Sequence, residues 1–112
     1  MIHAAYAYAL KLLSRPRGWV RGWGVDKRGN NVDTLTEALE LGPELQGACL
    51  LTALHLGAKK VGCESEWVIG PVTKELRLEC EGEIPTWNDE DKRLKRDVTA
   101  LVARLRDRFA PA

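Results

Sequence analysis

Apolar residues recur along this chain at several spacings, and the clearest of these spacings is helical. Residues 2–14 are rich in Ala and Leu, contain neither Gly nor Pro, and repeat apolar side chains every three or four positions, which predicts an amphipathic helix. We expect it to stop at Arg15, because the residue before Pro16 is pushed out of the helical region. Residues 44–57 are apolar on nearly every side and predict a central helix, buried on most of its surface and ended by Gly57.

The pattern changes between these two segments. Residues 18–32 contain four glycines and several apolar residues that suit an extended chain, which predicts a short strand or β-hairpin, or an ordered loop. A further helix is expected over residues 35–41, ended by Gly42. Asp33 or Thr34 can cap it by accepting a hydrogen bond from its first backbone N–H groups.

The stretch from residue 58 to residue 83 leaves helix and strand open. Residues 59–64 are typical of a loop, and residues 66–69 could be extended. Within residues 71–80 the apolar positions fit a helix when every fourth residue is counted and a strand when every second one is counted; we favour the helix.

The last element has the most regular amphipathic pattern. One apolar stripe runs from residue 94 to residue 109, and the basic side chains lie off it. Asn88 is predicted to be the N-cap of this helix, with Trp87 packed against the core and Asp89 in the first turn, where the helix dipole favours anions. The alternative is that Asn88 and Asp89 bind a substrate or a metal, although one carboxylate and one amide are few ligands for a metal.

Together these elements predict a mainly α fold. We expect a compact bundle of four to five helices around a buried central helix at about residues 44–57, with a short β-hairpin near residues 18–32. The chain of 112 residues fits a single globular domain over residues 1–112. No window holds the roughly 18 consecutive apolar residues of a membrane span, and the start lacks the features of a secretion signal. A cytoplasmic protein with no membrane partner is therefore expected.

Composition narrows the chemistry further. Cys49, Cys63 and Cys80 are an odd, unclustered set, which argues against disulfides and a zinc site and predicts reduced, mostly buried thiols. No metal and no other cofactor is predicted. The 17 basic and 16 acidic residues are segregated, with basic ends and an acidic middle. Either the basic ends fold back onto the acidic middle, or the separation serves binding.

Arginine and tryptophan alternate in one short segment, which is the main candidate for a binding surface: Arg15, Arg17, Trp19, Arg21 and Trp23. Their period of two would place them on one face of an extended chain. Arginine binds phosphate bidentately and Trp stacks on bases, which favours a nucleotide or nucleic acid. Both residue types are also enriched at protein interfaces. A third interpretation makes the tryptophans core anchors and leaves the arginines in solvent.

Three sequence blocks together resemble a known family. They are Gly18-Trp19-Val20-Arg21-Gly22, then Gln46-Gly47-Ala48-Cys49-Leu50-Leu51, then Ile84-Pro85-Thr86-Trp87-Asn88-Asp89. The chain resembles the DUF6197-type family of small, uncharacterised proteins from actinobacteria and their phages over residues 5–108. It departs from the family in having Arg21 where Gln is usual and in placing Cys49 after the Gly-Ala pair. The resemblance implies an actinobacterial or phage origin and a cytoplasmic setting, but it implies no activity.

No catalytic combination stands out in the sequence, so no catalytic residue is predicted and a non-enzymatic role is favoured. His55 lies in the apolar central segment and is expected to be a core histidine. We expect a small cytosolic binding or regulatory protein that engages a host protein partner; the alternative is nucleotide or nucleic-acid binding through the arginines and tryptophans. Self-association is also open, and the residues considered for such an interface are Leu35, Leu39, Leu56, Tyr6 and Tyr8.

Overall fold

The computed structural model describes residues 1–111, and those residues contain six α-helices and three short strands. The helices are α1 (Ile2–Ser14), α2 (Leu35–Leu41), α3 (Leu50–Val61), α4 (Ser65–Glu75), α5 (Ile84–Asp89) and α6 (Lys95–Arg108). The strands are β1 (Gly24–Asp26), β2 (Asn31–Val32) and β3 (Leu45–Ala48). The prediction of a mainly helical protein is confirmed, but the predicted number of four to five helices is wrong.

Helices α1 and α2 occupy the predicted residues. The chain turns extended at Arg15, before the proline, as the sequence indicates. Thr34 caps α2, since its hydroxyl oxygen accepts a hydrogen bond of 3.1 Å from the backbone N–H of Glu37. Gly42 follows the last residue of α2. Local sequence signals were sufficient for both elements.

The sheet has the order β2-β1-β3, and both strand pairs are antiparallel. The predicted hairpin is formed by β1 and β2. Strand β3 corrects the prediction of a helix from residue 44, because residues 45–48 pair with β1 and α3 begins only at Leu50. Gly47 explains the difference: a Cβ at this position would overlap the carbonyl oxygen of Arg17, so the segment lies flat against residues 17–20.

The far end of α3 is also later than predicted. The helix runs through Gly57 and ends at Gly62, which adopts the left-handed conformation with φ 76°. Gly57 is instead a packing residue, because a Cβ there would overlap the carbonyl oxygen of Ala5 in α1. The predicted loop over residues 59–64 is therefore wrong for residues 59–61, which are helical.

Residues 66–69 are helical and not extended, because they belong to α4. The preference for a helix over residues 71–80 is confirmed as far as Glu75. From Leu76 the chain turns, and Arg77 has a positive φ of 57°, so the last part of that segment is neither helix nor strand.

The core lies where α1 packs against α3 and α6, and α4 contacts both α3 and α1. Eight residues of α3 are buried, which confirms that the most apolar segment is the most enclosed. Tyr6 and Leu56, considered above for an interface between copies, lie in this core. None of the helices in residues 1–111 has the length and apolar character needed to span a membrane.

Candidate functional site

Asn88 is a fully buried polar residue at the point where three segments of the chain meet. Its Oδ1 accepts hydrogen bonds from Trp19 Nε1 (2.7 Å) and from the backbone N–H of Leu50 (3.0 Å). Its Nδ2 donates to the carbonyl oxygen of Val20 (3.1 Å) and to Oδ1 of Asp89 (2.8 Å). All four bonding positions of the amide are thereby used. We call these five residues the Asn88 junction.

The junction corrects the prediction that Asn88 caps the last helix. Helix α6 starts at Lys95 with Leu94 as its N-cap, and the Leu94 N–H is bonded by Asp97. Asn88 lies inside α5, and it accepts a bond from the first residue of α3, Leu50. Asn88 therefore accepts from a free N–H at the start of a helix 38 positions earlier in the chain. No local spacing in the sequence reveals this role.

The neighbours of Asn88 are likewise engaged in holding segments together. Trp87 packs partly against the core, as predicted, and the guanidinium of Arg93 lies 3.7 Å from its ring centroid. Asp89 is exposed and accepts a hydrogen bond of 3.1 Å from the backbone N–H of Gly22. It is not in the first turn of α6, so the predicted interaction with that helix dipole is wrong. No ligand-binding role is needed to explain either residue.

The five residues of the arginine and tryptophan block do not share one face. Arg15 turns inward and donates to the carbonyl oxygens of Leu12 and Leu45 (3.3 and 3.0 Å). Trp19 and Trp23 are half-buried against the core. The extended path that would align the block is broken at Arg17, whose φ is +58°.

Arg21 has a structural role as well. Its guanidinium lies over the ring of Trp19, 5.1 Å from the centroid. It also donates to the carbonyl oxygens of Glu90, Asp91 and Arg93, at 3.3, 3.1 and 2.7 Å. Arg21 therefore clamps the segment between α5 and α6 onto the junction through Nη2 alone, and its Nε and Nη1 groups form no hydrogen bond within residues 1–111.

Arg17 is the arginine of the block whose guanidinium forms no hydrogen bond and no ion pair within residues 1–111. It is exposed, and with Trp19 it lines a surface depression of about 500 Å³. The other lining residues come mainly from the hairpin: Val20, Val25, Asp26, Lys27, Arg28, Gly29 and Gln46. We call this depression the basic cleft. The hairpin residues Lys27 and Arg28 were missed by the sequence reasoning because only the fold of β1 and β2 brings them beside Arg17.

Some charged residues of the basic cleft have bonding partners within the chain and others do not. The carboxylate of Asp26 accepts from the backbone N–H groups of Arg28 and Asn30 (both 2.9 Å), and these bonds hold its pKa below the ordinary 3.8. Lys27 pairs with Glu44 at 3.2 Å in an exposed position. Within residues 1–111, the guanidinium groups of Arg17 and Arg28 form neither a hydrogen bond nor an ion pair. Both guanidinium groups are therefore free of direct partners in this part of the chain, although the Asp26 carboxylate of the same cleft attracts that of Arg28.

The backbone at Arg17 is unusual for a residue with a side chain. Residues 15–18 form a turn closed by a bond of 2.8 Å from the Gly18 N–H to the Arg15 carbonyl oxygen. Pro16 fixes the first central position, and φ +58° at Arg17 makes this a type II turn, in which Gly is preferred at the second central position. A non-glycine residue here costs about 1 kcal/mol or more. The fold alone does not require arginine at this position.

The family of the chain follows from comparison with family models. The model described as "Family of unknown function (DUF6197)" matches residues 2–108. The chain belongs to the DUF6197 family. No curated protein and no solved structure matches the chain. The three blocks through which it resembles the DUF6197 family meet at the Asn88 junction, since Trp19, Leu50 and Asn88 each come from a different block.

The remaining candidate chemistry of this DUF6197 protein is dispersed. Within residues 1–111, no group of three or more His, Cys, Asp or Glu side chains is placed to hold a metal ion. The three cysteines are free, but Cys49 is buried, Cys63 is half-buried and Cys80 is exposed, so the expectation of mostly buried thiols is wrong. His55 is largely enclosed, and its Nε2 lies 3.6 Å from Glu81 Oε2, beyond hydrogen-bond distance. Burial lowers the pKa of His55, which keeps the ring neutral.

Proposed function

We propose that this protein is a small binding protein that holds a phosphate-bearing ligand of about mononucleotide size in the basic cleft. One observation carries the proposal: Arg17, Trp19 and Arg28 line one depression of about 500 Å³, and both guanidinium groups lack hydrogen-bond and ion-pair partners within residues 1–111. Concave sites of this volume are typical of small-molecule ligands, whereas protein interfaces are flatter.

The residue types suit such a ligand. A guanidinium presents its donors in a planar fork that matches two phosphate oxygens. Trp19 offers an aromatic surface at the same depression for a base or another flat group. The unfavourable backbone of Arg17 places its side chain at the cleft, and a turn selected for stability alone would carry Gly there.

Binding without catalysis is the better proposal for this site. The carboxylate of the cleft, Asp26, has a lowered pKa because turn N–H groups bond it, which makes it a weak general base. We propose a cytoplasmic setting, supported by three free thiols of which Cys80 is exposed, since exposed thiols persist in reducing compartments. The actinobacterial or phage origin implied by the resemblance stays a prediction.

A protein partner is the second candidate function, and a different surface favours it. Trp67 on α4 is 62% exposed, and a large aromatic side chain in solvent is typical of an interface residue. The arginine and tryptophan block supports this candidate less, because Arg15 and Arg21 are bonded within the chain and both of its tryptophans are half-buried.

The test is to titrate the full chain separately with inorganic phosphate, ADP and a short single-stranded oligonucleotide. Calorimetry measures the affinity, and backbone amide chemical shifts locate the binding site. The variants are Arg17→Gly, which keeps the turn favourable, and Arg28→Ala. Each removes a charge-assisted hydrogen bond, so we expect each to weaken ADP binding about tenfold or more. Arg96→Ala, an exposed arginine on α6, is the matched control and is expected to bind normally.

The outcomes separate the ligand classes. Shifts confined to the cleft with ADP, and lost in Arg17→Gly, support the proposal. A preference for the oligonucleotide, with affinity falling steeply as salt rises, would move the assignment to nucleic acid. The proposal is wrong when neither phosphate nor ADP shifts the cleft amides, or when Arg96→Ala weakens binding as much as the cleft variants do.

A further inference from the structure

Helix α4 exposes a face whose residues are not those of an ordinary solvated helix. Trp67 is 62% exposed, more than any other aromatic residue described. One turn later the helix contains Gly70 and then Pro71 in its interior. Glycine and proline are the two residues that destabilise a helix interior most, and Trp67 adds a large apolar side chain to the same exposed face.

The fold gives no packing reason for this combination. Pro71 has no N–H to donate, so the carbonyl oxygen of Trp67 loses the partner that a helix normally provides. Gly70 eases the crowding that a Cβ before proline would cause, but apart from its neighbours a Cβ there would contact nothing within 4 Å. The face is therefore narrow and open at Gly70, next to a carbonyl oxygen that lacks its usual helical donor.

Two grooves of opposite charge flank this face and share Gly70. The first has about 590 Å³ between α4 and the end of α6, with the lining residues Gly70, Pro71, Lys74, Glu75, Arg77, Arg108 and Phe109. Its carboxylate, Glu75, is already paired with Arg108 at 2.8 Å, which leaves Lys74 and Arg77 in excess. We call it the cationic groove.

The second groove lies on the other side of α4 and has about 450 Å³. Its charged lining residues are all acidic: Glu66, Glu79 and Glu81. We call it the acidic groove. A partner that carried a single sign of charge would complement one groove and be repelled by the other.

We propose that the face of α4 is the interface of a homodimer, in which two copies pack α4 antiparallel about a two-fold axis at Gly70. Glu66 and Lys74 are each four positions from Gly70, on opposite sides. The two-fold axis therefore sets Glu66 of each copy against Lys74 of the other, and each acidic groove meets a cationic groove. The same patch complements itself, as an isologous interface requires.

The axis also accounts for the unusual residues. The missing side chain at Gly70 lets two helices approach closely at their crossing. Each Trp67 comes opposite Thr73 of the other copy, beside Pro71, and loses its exposure to solvent. A second copy thus explains Trp67, Gly70 and both grooves with one contact, and it requires no partner beyond this chain.

The experiment is sedimentation equilibrium and native mass spectrometry of the full chain from about 1 to 500 μM. We expect a concentration-dependent dimer. Glu66→Lys and Lys74→Glu each bring like charges together twice per dimer, so each is expected to weaken dimerisation about tenfold or more. The double variant Glu66→Lys with Lys74→Glu restores the pairing and is expected to dimerise nearly as the original does. Trp67→Ala is expected to be monomeric.

The controls separate charge from geometry. Lys11→Glu and Glu40→Lys reverse exposed charges on α1 and α2 and are expected to leave the dimer unchanged. Circular dichroism checks that each variant is folded. A monomer at every concentration overturns the proposal, and so does a dimer that neither single reversal weakens. Single reversals that the double variant fails to rescue would contradict the antiparallel arrangement. Arg17→Gly, which tests the cleft, should not affect the dimer, so the two proposals can fail separately.

Discussion

Two tryptophans in this molecule show opposite uses of the same side chain. Trp19 is half-buried and bonded through Nε1 to Asn88, 2.7 Å away, in a junction whose polar groups satisfy one another. Trp67 is 62% exposed on a helix that also carries Gly70 and Pro71. The sequence predicts a binding role for the block around Trp19, but most of its residues hold the fold together. The sequence predicts no role for the residues around Trp67, yet the fold does not explain them.

This comparison predicts first that breaking the junction costs most. In Asn88→Ala, the Leu50 N–H, the Trp19 Nε1–H and the Val20 carbonyl oxygen lose their bonding partner in a buried place. Unsatisfied buried polar groups cost about 1–3 kcal/mol each, so we expect the free energy of unfolding to fall by about 3–5 kcal/mol. Urea denaturation followed by circular dichroism measures it.

The matched control is Asn31→Ala, because Asn31 is an exposed asparagine of β2. We expect its free energy of unfolding to stay within about 0.5 kcal/mol of the original. If Asn88→Ala were as mild as this control, the junction would not stabilise the fold, and its residues would become candidates for a ligand site again.

The second prediction applies one substitution to both tryptophans. Trp19→Phe removes the Nε1–H that Asn88 accepts and leaves a smaller ring in a packed place, so we expect a loss of about 1–2 kcal/mol. Trp67→Phe changes an exposed residue and should alter the stability of the monomer by less than about 0.5 kcal/mol. Urea denaturation at low micromolar concentration measures both. Equal losses would contradict the distinction drawn between the two regions.

The elements that the sequence predicted correctly are those set by nearby residues. Helix α1 stops before Pro16, and α2 starts at the Thr34 cap, because both signals act within one turn. Residues 45–48 were predicted wrongly as helix because their strand depends on β1 and on contact with residues 17–20. In a segment that is apolar at nearly every position, the sequence pattern of a buried helix resembles that of a buried strand. Contacts with other segments then decide between the two.

The site was less predictable than the fold for the same reason. Arg17 was among the predicted binding residues, but Arg28 joins it only through the β1–β2 hairpin. Asn88 reads as a cap in sequence, and its actual partner, Leu50, is distant in the chain. Trp67 lies in a segment for which the sequence left helix and strand open, so its exposure could not be judged. A signal was present nonetheless, because Gly and Pro together in a helix interior require an explanation.

The smallest expected effect concerns His55, whose ring is largely enclosed beside the exposed Glu81. Burial lowers its pKa below the ordinary 6.5, outweighing the attraction of Glu81. As the pH falls through 6.5, His55 takes up a proton more readily in the unfolded chain than in the folded one. The free energy of unfolding therefore falls as the pH drops from about 7 to 5. Asp26 and Glu75, whose pKa values lie below 3.8 and 4.5, contribute at lower pH. The free energy of unfolding is measured by urea denaturation at each pH, and we expect His55→Gln to remove its decrease between about pH 7 and pH 5. The same pH dependence in both proteins would show that folding does not impede protonation of the His55 ring.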